Sequence, residues 1–586
     1  MSGRIAISWP KDYRAKAVFC SPRRKILCTS AIFFIFARIP IEDHPAMKKI
    51  LLTFLSLLGL CHAPSATAQT AAPTASSSPH VVTIAVMGIN DFHAGLVADP
   101  RQGVPGAAYV VQTVDSLKSV YPHHLVVSVG DNFGGSFFYS ATRGASLLPQ
   151  FFKDLDLRIS AVGNHEFDDG QEALADKWRH SELLPRNWDL TYVCANCRNA
   201  QGAIPDFAQP WVVAPIQVGQ RRIDVALVGL LTSNTPWQAS ARRLAGLSFD
   251  GRYNAVLDSI AHLPGFEAVQ KAPIRLILAH IGTNMRDGKP TWDDRDAANL
   301  QAMARRDYHG FFSAHSHSRV VGMSDMQAPM PIVQGLWHGL YVAMMKCRID
   351  TLSGQLLDVT PELVRVNPRA QLGPKAARLQ AQIEEQYQTT LFRGRPLNLA
   401  LTHCPDGIDH NRKANTRQTR MGQLVCESYA DAYRKAAGSK AEPLVVGVSH
   451  FGSIRAGFPA GDVTILDVGE ALPFANPLRA YRYTGRQLRQ LMDHGINVCT
   501  LGRIQTSGIE VEQDGKGRVK RLWINLPSGR KAIADKTPLI LVADEYMTTG
   551  GDGYLPAQFP AAQEVKIPMA SSTDAFITYL QSLPNI

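Results

Sequence analysis

The stretch IAVMGINDFHAGL, residues 84–96, passes from an apolar run rich in β-branched residues to a polar cluster within a few positions. Four later stretches repeat the change: LVVSVGDNFGG (125–135), ISAVGNHEFDDG (159–170), LILAHIGTN (276–284) and GFFSAHSHS (310–318). Each apolar run reads as a buried parallel strand, and each polar cluster as the loop at its carboxyl end. In an open α/β sheet ligands gather outside those ends, so residues far apart in sequence meet in one crevice. One Asp-x-His pair, such as Asp91 and His93, is by itself ordinary turn chemistry. The ordered set Asp91, His93, Asp131, Asn164, His165, His280, His315 and His317 reads as a two-metal hydrolase site.

Two divalent ions about 3.5–4 Å apart need one bridging ligand and separate oxygen and imidazole ligands for each ion. Asp131, just after Ser-Val-Gly, is the natural bridge. Asp91 and His93, two apart in an extended turn, can face one ion, and Asn164 offers a neutral carbonyl oxygen to the other. His280, His315 and His317 complete the shells with imidazole nitrogens, which suit zinc, manganese or iron better than magnesium or calcium.

With 586 residues, the chain is too long for one ordinary core. Residues 81–365 alternate strand-like and helix-like patterns, the rhythm of a layered α/β domain. Pro368 and Gly373-Pro374 break it, and a helical segment with Leu379, Ile383 and Tyr387 on one face follows as an interdomain helix (366–395). Residues 396–586 form a second unit with its own strands and a glycine-rich cluster, TTGGDGY, at 548–554.

The net charge of +11 is concentrated at the start: residues 1–49 hold ten Lys or Arg against three acids, leaving about +4 for the rest. That balance lacks the basic stripe needed to bind a nucleic-acid polymer. From Met47 the sequence MKKILLTFLSLLGLCHAPSATAQ has a positive start, an apolar core and a small-x-small exit at Ala66-Thr67-Ala68, the parts of a secretory signal peptide. The expectation is therefore an upstream extension (1–46) not belonging to the protein, a signal peptide (47–68), a disordered tether (69–80), and a periplasmic or secreted mature chain with no membrane span. Six cysteines follow the leader. Cys194 and Cys197 lack the second pair a structural zinc would need, and read as a local disulfide or two buried thiols.

NDFHAG, GDNFGG, GNHEFD, AHIG and AHSHS resemble the five blocks of the calcineurin-like metallophosphoesterases, in particular their secreted 5′-nucleotidase branch. QTRMGQL, GVSHFGSIRAG, GDVTILDVGEALPFANPL and MTTGGDGY resemble the C-terminal domain of that branch over nearly its whole length. The resemblance implies a four-layer α/β/β/α metallophosphoesterase domain, then a smaller α/β substrate-binding domain, joined by a helix. It also implies a hydroxide activated by two divalent ions attacking phosphorus in line, with a nucleotide as substrate. Carried over, His165 stabilises the transition-state charge or protonates the leaving oxygen and Asp168 orients it. Phe474 and Tyr546 clamp the nucleobase, Asp552 takes ribose hydroxyls and Arg455 takes phosphate. Stacking of this kind is tolerant of base identity. Domain rotation is implied as well, with the hinge around Leu372 to Thr390.

The chain departs from that family in three places. Ala314 stands where glycine is usual before the first His of the last block. Asn415 replaces an Arg, with Arg412 and Arg417 close by. The run His450-Phe451-Gly452-Ser453-Ile454-Arg455 replaces Asn-Gly-Gly-Gly-Ile-Arg, which points to phosphate and base contacts rewired around Arg417 and His450. Beside nucleoside 5′-monophosphates stand 2′,3′-cyclic nucleotides (with 3′-nucleotidase activity) and UDP-sugars. Further readings are a protein-bound thiosulfonate, against which the two aromatic positions argue, and a non-catalytic nucleotide binder, against which the full ligand set argues.

Overall fold

The computed structural model describes residues 80–586 except 101–102, 143–146, 177–189, 293–295, 302, 304, 412–415, 439–443, 500–501 and 527–528. The expected upstream extension, the signal peptide and all but the last residue of the tether lie outside the described residues, as do Arg412 and Asn415. No helix among the described residues is long and apolar enough to cross a membrane.

The first domain contains strands β1 (Val81–Ile89), β2 (His124–Ser128), β3 (Ile159–Ala161), β4 (Thr191–Val193), β5 (Trp211–Val218), β6 (Arg221–Leu231), β7 (Ile274–His280), β8 (Gly310–Phe312), β9 (Arg319–Met323), β10 (Pro331–Gly335), β11 (Tyr341–Asp350) and β12 (Leu356–Arg365). They form two six-stranded sheets, ordered β12-β11-β1-β2-β3-β4 and β9-β10-β8-β7-β6-β5. The central pairs β1–β2, β2–β3 and β3–β4, and β6–β7, β7–β8 and β8–β10, are parallel. The strands that bear the candidate ligands therefore end on the same side of their sheets.

Alternation along each strand gives every sheet two apolar faces. Ile84, Val86, Val127 and Val129 pack between the sheets against Leu227, Leu276, Leu278 and Phe312. Their neighbours Ala85 and Met87 point outward onto α1 (Ala107–Val120) through Val110, Val111 and Val114. The outer face of the second sheet, with Ala226, Val228 and Leu230, is covered by Val256, Leu257 and Ile260 of a helix at Tyr253–Ile260. The result is the four-layer α/β/β/α order.

Three other helices position the site: α2 (Phe137–Thr142), α3 (Thr235–Gln238) and the connecting helix α4 (Pro374–Thr389). α4 opens on Pro374 after Gly373, a favourable start because proline lacks the N–H that would be orphaned there. It buries Leu379 and Ile383, with Tyr387 half-buried beside them. Lys375 Nζ lies 2.7 Å from Asp115 Oδ1, and Gly373 N donates to Gln112 Oε1 at 2.6 Å. These bonds fasten the helix's start to α1.

The second domain is built around a five-stranded sheet ordered β15-β13-β16-β14-β17, made of β13 (Val445–Ser449), β14 (Leu478–Thr484), β15 (Gln505–Thr506), β16 (Pro538–Asp544) and β17 (Glu564–Val565). A short helix, α5 (Ile465–Ala471), faces the first domain. Gly469 lies directly under the Phe137 ring of α2: a Cβ there would stand 1.9 Å from Phe137 Cγ. One hydrophobic cluster runs from Phe137, Phe151 and Leu379 to Val468, Val542 and Phe576, so the two domains share a core.

Candidate metal centre and cleft

Five of the seven expected ligands hold left-handed backbone: Asp91 (φ 48°), His93 (47°), Asp131 (52°), His315 (73°) and His317 (50°). Such residues cost about 1–3 kcal/mol each, and they persist where the surroundings over-determine them. Here the fixing bonds are explicit. Asp91 N donates to Gly130 O (3.1 Å) and His93 N to Asp131 O (2.8 Å). His315 N donates to the Asp91 carboxylate, and His165 N to Asp131 Oδ1 at 2.9 Å.

Glu166, which the sequence did not single out, clamps the central loop. Its carboxylate accepts from Asp131 N (2.8 Å), Asn132 N (2.7 Å) and Gly163 N (2.6 Å) and is fully buried. Asn90 is a second unexpected support, donating to Asp91 Oδ2 at 2.7 Å and to Leu336 O at 2.6 Å.

The predicted ligands come together in two groups, bridged by a third set that holds His93 and Asp131. Asp91, His93 and His317 present ligand atoms within 4.8 Å of one another, and so do Asp131, His280 and His315, while His93, Asp131 and His165 link the groups. Asp91 and His280 are wholly shielded from solvent. His280 Nδ1 faces Val129 O at 2.9 Å and His93 Nδ1 faces Gly134 O at 3.2 Å, which leaves each Nε2 directed inward.

Three observations fit divalent cations. His93 Nε2 and His317 Nε2 stand 2.9 Å apart, close enough for one cation to take a lone pair from each. Asn164 Oδ1 is buried with no hydrogen-bond partner. Burial alone would lower the His280 pKa, yet the Asp131, Asp91 and Glu166 carboxylates outweigh it and raise the value to about 9. Buried carboxylates thus call for positive charge at this point. By contrast burial, reinforced by His280, pushes His315 down to about 3, and burial holds His93 well below its usual range, so both are neutral and able to ligate.

His165 sits at the rim, its Nδ1 2.9 Å from Asp168 Oδ2. Its ring lies parallel to Phe474 of the second domain, at 5.8 Å between centroids and 7° between planes. Arg455 approaches the same Phe474 ring at 5.8 Å. Burial lowers the Arg455 pKa, while Asp131, Asp168 and Asp552 oppose that shift, which places its charge between the metal centre and the second domain.

These groups line one cleft of about 2290 Å³ with Phe474, Tyr546, His450 and Asp552 on its far wall. His450 Nδ1 is 2.5 Å from Asp552 Oδ2, and Tyr546 OH donates to Asp552 Oδ1 at 3.1 Å. Tyr546 OH also reaches Trp237 O of α3 at 3.0 Å, and its ring packs on His450 at 4.9 Å. Arg417 is not brought to the cleft: it is exposed, and its carbonyl accepts from Gln505 Nε2. Two residues that the sequence did not mark do line the cleft, Gln238 and Trp337, the latter stacked on His317 at 5.8 Å. Cys194 and Cys197 are free, buried thiols away from the cleft lining, as are Cys347, Cys404 and Cys426, while Cys499 is a free, half-buried one.

A family model described as calcineurin-like phosphoesterase matches residues 84–319, and one described as 5′-nucleotidase, C-terminal domain, matches residues 401–560. Over 508 residues the chain is 22% identical to the trifunctional nucleotide phosphoesterase protein YfkN of Bacillus subtilis, covering 80% of this chain and 32% of that protein. It is 20% identical over 525 residues to the snake venom 5′-nucleotidase of Naja atra, covering 80% and 91%. The chain thus spans about a third of the length of the Bacillus relative. Its fold is similar to the crystal structure of a 5′-nucleotidase precursor from Thermus thermophilus, with a TM-score of 0.68, 22% identity and coverage of 86% and 97%.

Proposed function

Because the chain belongs to the calcineurin-like phosphoesterases that carry a 5′-nucleotidase C-terminal domain, and is a metal-dependent phosphoesterase hydrolase, we propose that it releases phosphate from nucleoside 5′-monophosphates outside the cytoplasm. The observation that carries this reading is the composition of the cleft's two walls. One presents the buried Asp/His groups around Asp131, the other Phe474, Tyr546, Asp552 and Arg455, so a phosphate at the first wall puts its leaving group against the second. Export is supported by the signal-peptide pattern from Met47.

Asp91, His93 and His317 would hold one divalent ion, and Asn164, His280 and His315 the other, with Asp131 shared. Such ions supply Lewis acidity and a nucleophile drawn from water at neutral pH. The remaining steps belong to the chain's own groups. Asp168 accepts the His165 Nδ1 hydrogen and fixes the ring, leaving Nε2 to deliver a proton to the departing oxygen. Burial opposes protonation of His165, but Asp168 and Asp131 outweigh it and raise its pKa, which keeps that proton available. Arg455 neutralises the phosphate oxygens turned away from the ions, and the stacked Phe474 shields His165 from water.

One observation favours a second substrate. Both Asp552 oxygens already face donors, His450 Nδ1 and Tyr546 OH, so a ribose diol has to share the carboxylate with them and use its remaining lone pairs. A 2′,3′-cyclic nucleotide, whose phosphate ties up both hydroxyls, makes no such demand. The test is phosphate release by purified protein, with manganese or zinc, from AMP, UMP, 2′-deoxy-AMP, UDP-glucose and an aryl phosphate, and turnover of 2′,3′-cyclic AMP. Comparable rates on AMP and UMP, well above the aryl phosphate, are expected. A clear preference for the cyclic nucleotide would favour the second substrate, and turnover of the aryl phosphate alone would sink both readings.

A further inference from the structure

His93 and His280 each turn one ring nitrogen to a backbone carbonyl and the other to the metal centre. Among the described residues no such carbonyl faces the His315 ring. Its Nε2 instead faces the side chain of Gln238, the last residue of α3, whose amide nitrogen is 2.9 Å away. The Gln238 Oε1 is buried and has no hydrogen-bond partner.

These facts have one common resolution. An imidazole that gives one lone pair to a cation carries its hydrogen on the other nitrogen, and that hydrogen needs an acceptor. With Nε2 turned to Gln238, Nδ1 is the His315 nitrogen left for an ion, and Nε2 becomes the donor. Turning the carboxamide over puts Oε1 in the place of its nitrogen, which supplies the acceptor and pairs the orphaned oxygen in the same movement. We propose that Gln238 is a positioning residue of the metal centre, accepting the His315 Nε2 hydrogen and holding the ring so that Nδ1 meets the second ion. The assignment rests on the reading of the site as dinuclear.

The seat of Gln238 is built from both domains. Thr232 N donates to His280 O at 3.0 Å. Buried Asp296 accepts from Thr232 Oγ1 (3.0 Å) and Ser233 N (2.9 Å), fixing the turn into α3. Tyr546 OH then holds the Trp237 carbonyl from the opposite wall. Gln238 is therefore aimed before any ion arrives.

The test is titration of the full chain, stripped with a chelator, with manganese followed by calorimetry. Gln238→Leu removes the acceptor at nearly constant volume, and Gln238→Glu keeps one. Circular dichroism of the metal-free variants verifies that the fold is retained. Two ions are expected for the wild type, with one binding step weakened by about 10–100-fold in Gln238→Leu and wild-type or tighter binding in Gln238→Glu. Unchanged affinities in Gln238→Leu, or equal weakening in both variants, would overturn this assignment alone. A wild-type chain that takes up no manganese would overturn it together with the dinuclear reading.

Discussion

His165 stands where both domains act on one side chain. Asp168 holds its Nδ1, Asp131 accepts from its backbone N–H, and Phe474 covers its ring face. Its imidazole lies outside the set of seven residues proposed to hold the ions. His165→Ala should therefore lower kcat by about 10²–10⁴-fold while manganese uptake stays intact. Calorimetry and phosphate release measured on the same sample decide it, and a variant as fast as the wild type would refute the proton-delivery role. The candidate ligands were legible in the sequence because each follows an apolar run, and strand ends converge by topology. Glu166 was not, because an acid after Asn-His reads equally well as a solvated loop residue. Its part emerges only once three backbone N–H groups are seen to converge on it. Gln238 was hidden for a related reason, since its partner His315 lies 77 positions away in the sequence.

At the level of elements, the seam between α2 and α5 joins the domains. The Glu470 carboxylate accepts from the Phe137 and Phe138 backbone N–H groups, but burial outweighs them, aided by Asp99 and Asp467, and raises its pKa from 4.5 to about 7. A carboxyl group with a raised folded pKa binds a proton more tightly folded than unfolded. Its stabilisation is present below the unfolded value and is lost as pH climbs from about 4.5 to about 7. Glu470→Gln should flatten that fall, so the Tm of the variant should gain on the wild type by a few degrees between pH 5 and pH 8. Thermal melts across that range check it, and parallel curves would refute it. Sequence pattern identified α4 through its composition and its Gly-Pro start. It said nothing of this seam, because Gly469 inside a helix reads as a weak spot until the Phe137 ring is found over it.

Across the whole molecule, the four-layer order was implied by the family resemblance, whereas the alternation of strands and helices that makes a layered α/β domain was visible along the chain. The docking of the second domain was not, because it depends on contacts between residues hundreds of positions apart, such as Tyr546 with Trp237. The left-handed turns at the metal centre are held by bonds within the protein, so their strain is settled by folding. Treatment with EDTA should abolish turnover, leave the far-UV circular dichroism unchanged, and be reversed by manganese. Loss of secondary structure on chelation would contradict a preformed site.

The core shared through Phe137, Gly469 and Leu379 bears on how such a chain can vary over time. A recombination event between the two matched regions would bring together an α2 ring and an α5 helix that had not been fitted to each other. A residue larger than glycine at position 469 would then meet that ring. Exchange of the second domain therefore carries a packing condition at position 469 that a single replacement on the cleft wall, such as one at His450, does not.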